Sequence, residues 1–441
     1  MAAAERPLLQ LRGWSLERRT ETGSRPILED VDLDLHAGRS LAVLGNNGSG
    51  KSSLLKYLAS DESPLSDSRA IMFQDPDDQI IAPTVIGELQ LGRTTSGTRE
   101  LLKELGLSGA ADLDPRLLSA GQKQRLVLGV VLQSDPQVLF CDEPTALQDP
   151  EQARWVLDRL QAWRRQPGRT LVTATCDWQD LDLADDLLVL DQGRVVLAGP
   201  VAEAGDAPQV LDVLGPRRVE LATPAFQGDP EGPGFLRVAG LAFQGHSAWR
   251  GLANVHLELA GGQVMGVVGP NGCGKSTLLA ACVGARKPDA GTISLGDHVL
   301  YGRGQTDLDH GLAMLAPQFP EYLFTRSTVA QEIALDPGLA TLGPGPLLDR
   351  LGLPPEVLSE NPHALSTGQK RRLALGLVLF SGRKLLVLDE PTAALDHAGR
   401  QLVLDLIRQV PHDSAVLMAS NDRPFLAELG CPRLEMGDLS P

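Results

Sequence analysis

Short continuous apolar runs alternate with longer amphipathic stretches along this chain, and the alternation is written twice. Residues 41–44 and 264–268 have the unbroken apolar character of strands buried on both faces. Each leads through a glycine-rich turn into a helical pattern that begins Ser53-Leu54-Leu55 or Thr277-Leu278-Leu279. Farther on, 126–132 and 373–380 predict apolar helices, and each is followed by a buried strand ending in acid, at 138–142 and 385–389. Residues 171–174 and 416–419 predict one more buried strand in each half. Two runs, 187–190 and 195–198, flank Asp191-Gln192-Gly193-Arg194, a hairpin signal. Strands alternating with helices in both halves predict α/β domains with largely parallel sheets.

The two copies are in register at the rear. Ser119 and Ser366 lie 247 residues apart, and so do Glu143 and Glu390. At the front the spacing differs, because Lys51 to Gln74 is 23 residues whereas Lys275 to Gln318 is 43. The second copy fills the difference with 287–296, a turn, a strand and another turn, so the first copy is expected to lack a β-hairpin. A repeat this long marks domain duplication rather than a solenoid. Linker composition, rich in Pro and Gly, occupies 222–234, which predicts domains at 1–221 and 235–441.

With 441 residues of which 42% are hydrophobic, the chain can bury two cores. No apolar run approaches the roughly 20 residues that a membrane helix needs. Residues 1–6 have no charged start followed by an apolar core, so no secretory leader is expected. The five cysteines are scattered without metal-ligand spacing, as expected of free thiols in the cytosol. A net charge of −16 argues against nucleic acid as a partner. The basic cluster Arg164, Arg165 and Arg169 is expected to be a solvated helix end.

Candidate chemistry sits in the turns. Gly45-Asn46-Asn47-Gly48-Ser49-Gly50-Lys51-Ser52 and Gly269-Pro270-Asn271-Gly272-Cys273-Gly274-Lys275-Ser276 both satisfy the P-loop pattern, each between a strand and a helix. Backbone NH groups of such a loop curl around a β-phosphate, the helix N-terminus adds a favourable dipole, Lys51 or Lys275 neutralises phosphate charge, and Ser52 or Ser276 ligates Mg²⁺. The following Ser53 and Thr277 extend each nucleotide-binding stretch. Asp142 and Asp389, at strand ends, can hold Mg²⁺ through its waters, and Glu143 and Glu390 can orient or deprotonate an attacking water.

Between P-loop and acidic strand stand Leu118-Ser119-Ala120-Gly121-Gln122 and Leu365-Ser366-Thr367-Gly368-Gln369, and the acids continue into Pro-Thr. This combination resembles the ATP-binding-cassette (ABC) ATPases over nearly the whole chain. The resemblance implies two P-loop ATPase domains, each with a helical signature subdomain, and ATP and Mg²⁺ as cofactors. It also implies ATP sites formed between the two halves, one joining Lys51, Gln74 and Glu143 to Ser366, Gly368 and Gln369, the other joining Lys275, Gln318 and Glu390 to Ser119, Gly121 and Gln122. In this family Gln74 and Gln318 would also reach Mg²⁺. The segments 73–79 and 318–324, with Thr84-Val85 and Glu88 or Thr328-Val329 and Glu332 behind them, resemble the glutamine loops of energy-coupling-factor transporter ATPases, including the cobalt-type ones. The implied partner is an integral membrane component docking at those loops, which would place the chain in the cytoplasm, peripheral on the inner face of the cell membrane.

Two departures bear on activity. Where the family has a switch histidine, this chain has Cys176 and Asn421, so hydrolysis is expected to be slow and unequal. No adenine-stacking aromatic stands at the usual place, where Arg18 and Gly245 fall, though Trp14 and Trp249 are nearby. Two further readings follow from the same residues: a soluble tandem cassette protein acting on ribosomes or DNA, which would call for charged arms that this chain lacks, and a regulatory ATP binder whose hydrolysis has decayed.

Overall fold

The computed structural model describes residues 7–20, 23–65, 68–91, 97–118, 120–146, 148–215, 234–246, 249–302, 311–393 and 395–436. The chain divides into two compact units, Met1–Arg217 with Asp396–Ala398, and Arg218–Leu395 with Gly399–Pro441. Of the expected linker 222–234, only Gly234 is described, and it opens a strand.

In the first unit β1 (Leu9–Thr20) and β2 (Gly23–Leu35) form an antiparallel ribbon. A six-stranded sheet contains β3 (Ser40–Gly45), β4 (Arg69–Met72), β5 (Val138–Asp142), β6 (Thr170–Thr175), β7 (Asp186–Asp191) and β8 (Arg194–Pro200). Its order is β4-β5-β6-β3-β7-β8, parallel except for β8. The predicted hairpin is β7–β8, whose two-residue turn holds Gln192 at φ 46° and Gly193 at φ 82°, the left-handed pair that matches strand twist.

The second unit runs through β9 (Gly234–His246), β10 (Trp249–Ala260), β11 (Val264–Val268), β12 (Ala290–Leu295), β13 (His298–Tyr301), β14 (Ala313–Ala316), β15 (Leu385–Asp389), β16 (Ala415–Ala419) and β17 (Arg433–Glu435). The parallel sheet β14-β15-β16-β11-β17 repeats the order of the first unit's parallel strands. The antiparallel sheet β10-β9-β12-β13 contains the hairpin β12–β13, which occupies the stretch that the first copy lacks.

Strand β5 is apolar from Val138 to Cys141 because both of its faces are covered. Along β5, Val138 and Phe140 pack with Leu54, Leu55 and Leu58 of the helix Lys51–Ala59, while Leu139 and Cys141 pack with Val127, Leu128 and Val156 on the other side. The helical subdomain of the first unit closes on its own small core of Val85, Leu89, Leu102, Leu105, Leu118 and Leu126. The basic cluster is partly structural rather than only solvated. Arg164 pairs with Asp185 at 2.7 Å, and Arg169 bonds to Asp135 and the Pro136 carbonyl while lying over the Trp163 ring. Among the described residues no helix is long and apolar enough to cross a membrane.

Candidate functional site

Strand order assembles each site. Because β4, β5, β6 and β3 are parallel neighbours, the turns at their C-terminal ends line one edge of the sheet. Those turns carry Gln74, Asp142 with Glu143, Cys176, and the P-loop. The second unit brings Gln318, Asp389 with Glu390, Asn421 and its own P-loop to the corresponding edge through β14, β15, β16 and β11.

Each P-loop ends on a left-handed glycine, Gly50 at φ 104° and Gly274 at φ 106°. A Cβ on Gly50 would stand 2.6 Å from Leu28 Cδ2, so only glycine lets the loop turn this tightly. The helices that follow, Lys51–Ala59 and Lys275–Cys282, have no side-chain cap and no acid in the first turn. Their first NH groups are therefore available to an anion. Lys51 Nζ donates to the carbonyls of Gly45 at 2.6 Å and Asn46 at 3.3 Å. Lys275 Nζ donates to Gly269 O at 2.7 Å, Pro270 O at 3.4 Å and Asn421 Oδ1 at 3.1 Å. Both lysines are buried. These ammonium groups need acceptors, and phosphate oxygens are stronger ones than carbonyls.

Burial raises Asp142 and Asp389 above the usual carboxylate range, while hydrogen bonds from Ser52 and Ser276 oppose the rise. Asp142 Oδ1 is buried without a partner, the atom that a hydrated cation would satisfy. Among the described residues no three His, Cys, Asp or Glu side chains surround one point. A Mg²⁺ here would take most of its ligands from phosphate and water.

Glu143 and Glu390 both adopt left-handed backbone conformations, at φ 48° and 49°. A non-glycine residue pays for this, and such outliers concentrate at functional sites. Each is pinned by its NH, to Ala174 O in one unit and Ala419 O in the other, both at 2.9 Å. Desolvation pushes Glu143 up to about 7 against the pull of Lys51. Glu390 is also raised by burial, opposed by Lys275, whose Nζ lies 3.7 Å away. Gln74 Nε2 donates to Glu143 Oε2 at 2.9 Å, which joins two of the predicted residues directly. The Gln318 backbone carbonyl instead accepts from Arg371.

The switch positions differ. Cys176 Sγ lies 3.4 Å from Gly45 O and 3.9 Å from Glu143 Oε1, and burial pushes its thiol up to about 12. Asn421 is built into its P-loop, donating from Nδ2 to Asn271 Oδ1 at 2.9 Å and from its NH to Glu390 Oε2 at 3.2 Å. Thr277 Oγ1 accepts from Arg286. Trp14 stacks on Tyr57 with ring centroids 4.1 Å apart, so one face of its ring is already used.

The signature serine is also a helix cap. Ser366 and Gln369 exchange side-chain-to-backbone bonds at 3.3 and 3.0 Å, a complete capping box that leaves the exposed helix start well ordered around Gly368. In the first unit, Ser119 lies outside the described residues; Gly121 and Gln122 are in the first turn of the helix Ala120–Gln133.

Sequence reasoning missed how the glutamine loops are held. Glu88, buried, accepts from the NH groups of Ile81 and Ala82 at 3.0 and 2.6 Å, and buried Glu332 accepts from those of Thr325 and Arg326. Lys123 pairs with Asp77 at 2.7 Å, and Lys370 pairs with Glu321 at 3.2 Å. A signal was present: in both copies an acid stands three residues after the loop glutamine and a lysine directly after the signature glutamine. Asp180, whose carboxylate accepts from Thr145 and Thr175, carries no signal in the sequence.

The ABC transporter family model matches residues 28–146 and again 252–393. A Bifidobacterium longum protein named "Putative ABC transporter ATP-binding protein" is 28% identical over 91% of this chain and 62% of its own length. This chain thus spans less than two thirds of that relative. A Bacillus subtilis protein named "Putative HMP/thiamine import ATP-binding protein" is 27% identical over 92% of this chain and 86% of its own. The solved RNase-L inhibitor superposes with a TM-score of 0.64 at 20% identity, covering 89% of this chain and 82% of that one, a likeness of fold alone. With the family's ATP-binding domain matched once in each unit, this chain belongs to the ABC transporter ATP-binding proteins and is a tandem-cassette ABC ATPase.

Proposed function

We propose that this chain is the ATP-binding and hydrolysing motor subunit of an energy-coupling-factor type importer, in the cytoplasm on the inner face of the membrane, and that it drives a separate integral membrane component. The observation that carries this reading is the pair of glutamine loops. Each presents a bulky apolar side chain to solvent, Ile81 at 80% exposure and Tyr322 at 81%, from a segment braced by a buried glutamate and a lysine ion pair. Exposed apolar side chains on a segment whose backbone is braced have the character of an interface rather than of a solvated loop.

In this reading the cassettes extend over 1–221 and 235–441, joined through 222–234. Bound MgATP supplies the phosphoryl group to be transferred to water. Lys51 and Lys275 exchange loop carbonyls for phosphate, Ser52, Gln74 and Asp142, or Ser276, Gln318 and Asp389, hold Mg²⁺ and its waters, and Glu143 or Glu390 takes up the proton of the attacking water. By family resemblance, Ser366, Gly368 and Gln369, or Ser119, Gly121 and Gln122, complete the other cassette's site, so closure within one chain benefits from high effective concentration. The Bacillus relative's name is compatible with a vitamin precursor as cargo, which this subunit would move without touching.

The test is crosslinking in native vesicles from Ile81→Cys and Tyr322→Cys. Adducts with a multi-span membrane protein are expected. Adducts confined to ribosomal or DNA-bound material would overturn the reading.

A further inference from the structure

Two residues past Gln369 the signature helix Thr367–Leu379 carries Arg371, whose side chain is turned inward and 8% exposed. Its Nη1 donates to Glu390 O at 3.2 Å and to Ala393 O, and its Nη2 donates to Gln318 O at 3.0 Å. Those carbonyls belong to the glutamine loop after β14, to the strained glutamate after β15 and to the turn beyond it. Burial lowers the guanidinium to about 10, still cationic near neutrality. A buried cation with backbone acceptors on several segments is costly to displace, because moving any one segment strands charge.

The first unit has no such group. At the equivalent position Gln124 donates to Pro144 O and accepts from Gln148 Nε2. Gln148 in turn stands where the second unit has Leu395. A neutral carboxamide has two NH groups on one nitrogen and cannot span three separated carbonyls. The buried oxygens Gln148 Oε1 and Gln152 Oε1 are left without a partner, so this polar cluster is less completely satisfied than the one around Arg371.

We infer that Arg371 is a positioning residue for the Lys275–Glu390 site, a clamp that makes the Gln318 loop and the Glu390 turn move as one piece, and that the chain is built with one clamped and one unclamped cassette. The inference rests on the proposed roles of Gln318 and Glu390. Movement imposed on the clamped glutamine loop would reach the water-activating carboxylate through a shared backbone clamp, whereas in the first unit the direct link among the described residues is the side-chain bond from Gln74 to Glu143.

The test uses full-length chain in a Glu143→Gln background, which confines turnover to the second site. The double variant Arg371→Gln with Leu395→Gln installs the first unit's own pair, a combination that already folds in this protein. A kcat about ten- to a hundredfold lower with KM for ATP within about twofold is expected, and Arg371→Lys, which keeps the charge and three donors, should recover most of it. Amide exchange in 317–320 and 390–393 should accelerate together in the double variant. Unchanged kcat in the folded double variant, KM rising in step with the loss of kcat, or unaltered exchange at both segments would overturn the clamp. A Glu143→Gln parent without turnover would instead sink the reading of the Lys275 site, and the exchange measurement alone would then decide whether Arg371 couples the two segments.

Discussion

Replacing Glu390 by Gln should damage ATP turnover far more than replacing Glu143. Two features bear on the first site, a carboxyl raised by burial, as Glu390 also is, and a replaced donor, and their magnitudes differ. Glu143 titrates at about 7, so near neutrality about half of it is protonated, a factor of about two or roughly 0.4 kcal/mol. The second feature is the donor beside it. Cys176 offers a thiol, a weak donor, 3.4 Å from the Gly45 carbonyl and 3.9 Å from Glu143. Losing one preorganised donor to a developing anion costs about 3 to 4 kcal/mol, or roughly 10² to 10³ in rate. The missing donor therefore dominates. In the second site the Asn421 carboxamide reaches Asn271 of the P-loop and the Asn421 NH fixes Glu390.

Steady-state phosphate release at saturating MgATP should thus persist nearly intact in Glu143→Gln and fall to about 1% or less in Glu390→Gln. The residue left in Glu390→Gln should grow about tenfold from pH 6 to pH 8, because a base that titrates at about 7 is active in its ionised form, above that value. Adding Cys176→His to Glu390→Gln should recover rate. Equal losses in the two glutamate variants would refute the reasoning, since they would mean that the sites fire in obligatory alternation whatever stands at 176 and 421.

Three other outcomes follow from the packing. Burial raises Asp180 to about 7 from 3.8, so its folded form favours the proton and its contribution to stability is lost as pH rises from about 4 through about 7; Asp180→Asn should remove that loss, worth up to about 4 kcal/mol, and melt higher than the parent at pH 8 but not at pH 4. Gly50→Ala forces a Cβ toward Leu28 at φ 104°, which should lower stability by about 1 to 3 kcal/mol and abolish ATP retention at the first site, as a filter-binding measurement on a Lys275→Ala background would read. Glu332→Ala strands the NH groups of Thr325 and Arg326 and should speed amide exchange across 323–327, with a local cost of about 1.5 to 3 kcal/mol per charged bond.

What could be read from the residues followed from covering and spacing. A strand such as β5 is apolar at every position because helices cover both faces, so 138–141 had to be central and parallel, and the acid at its end had to emerge at the sheet edge. The second copy's extra hairpin was legible because its front is twenty residues longer and holds the turn-strand-turn pattern 287–296, which has no counterpart in the first. The glutamine-loop braces were not legible from hydrophobic pattern, since Glu88 looks like any helical glutamate until the loop folds back over it. Nor was the inward face of Arg371 legible. An arginine in Lys370-Arg371-Arg372 reads as solvent-facing charge, and only the approach of three backbone carbonyls makes burial tolerable.

The left-handed glutamates connect these observations. Glu143 and Glu390 share a strained φ and the same NH bond to the neighbouring strand end, although nearby residues differ, with Cys176 and Gln124 in the first unit and Asn421 and Arg371 in the second. A conformation costing about 1 to 3 kcal/mol that survives so different a set of neighbours is imposed by the backbone path from strand to turn, not by the side chains. The side chains are then free to set how firmly the carboxylate is held and at what pH it ionises. That division would let a duplicated fold keep one order of parallel strands and one P-loop geometry while its two glutamates are held differently.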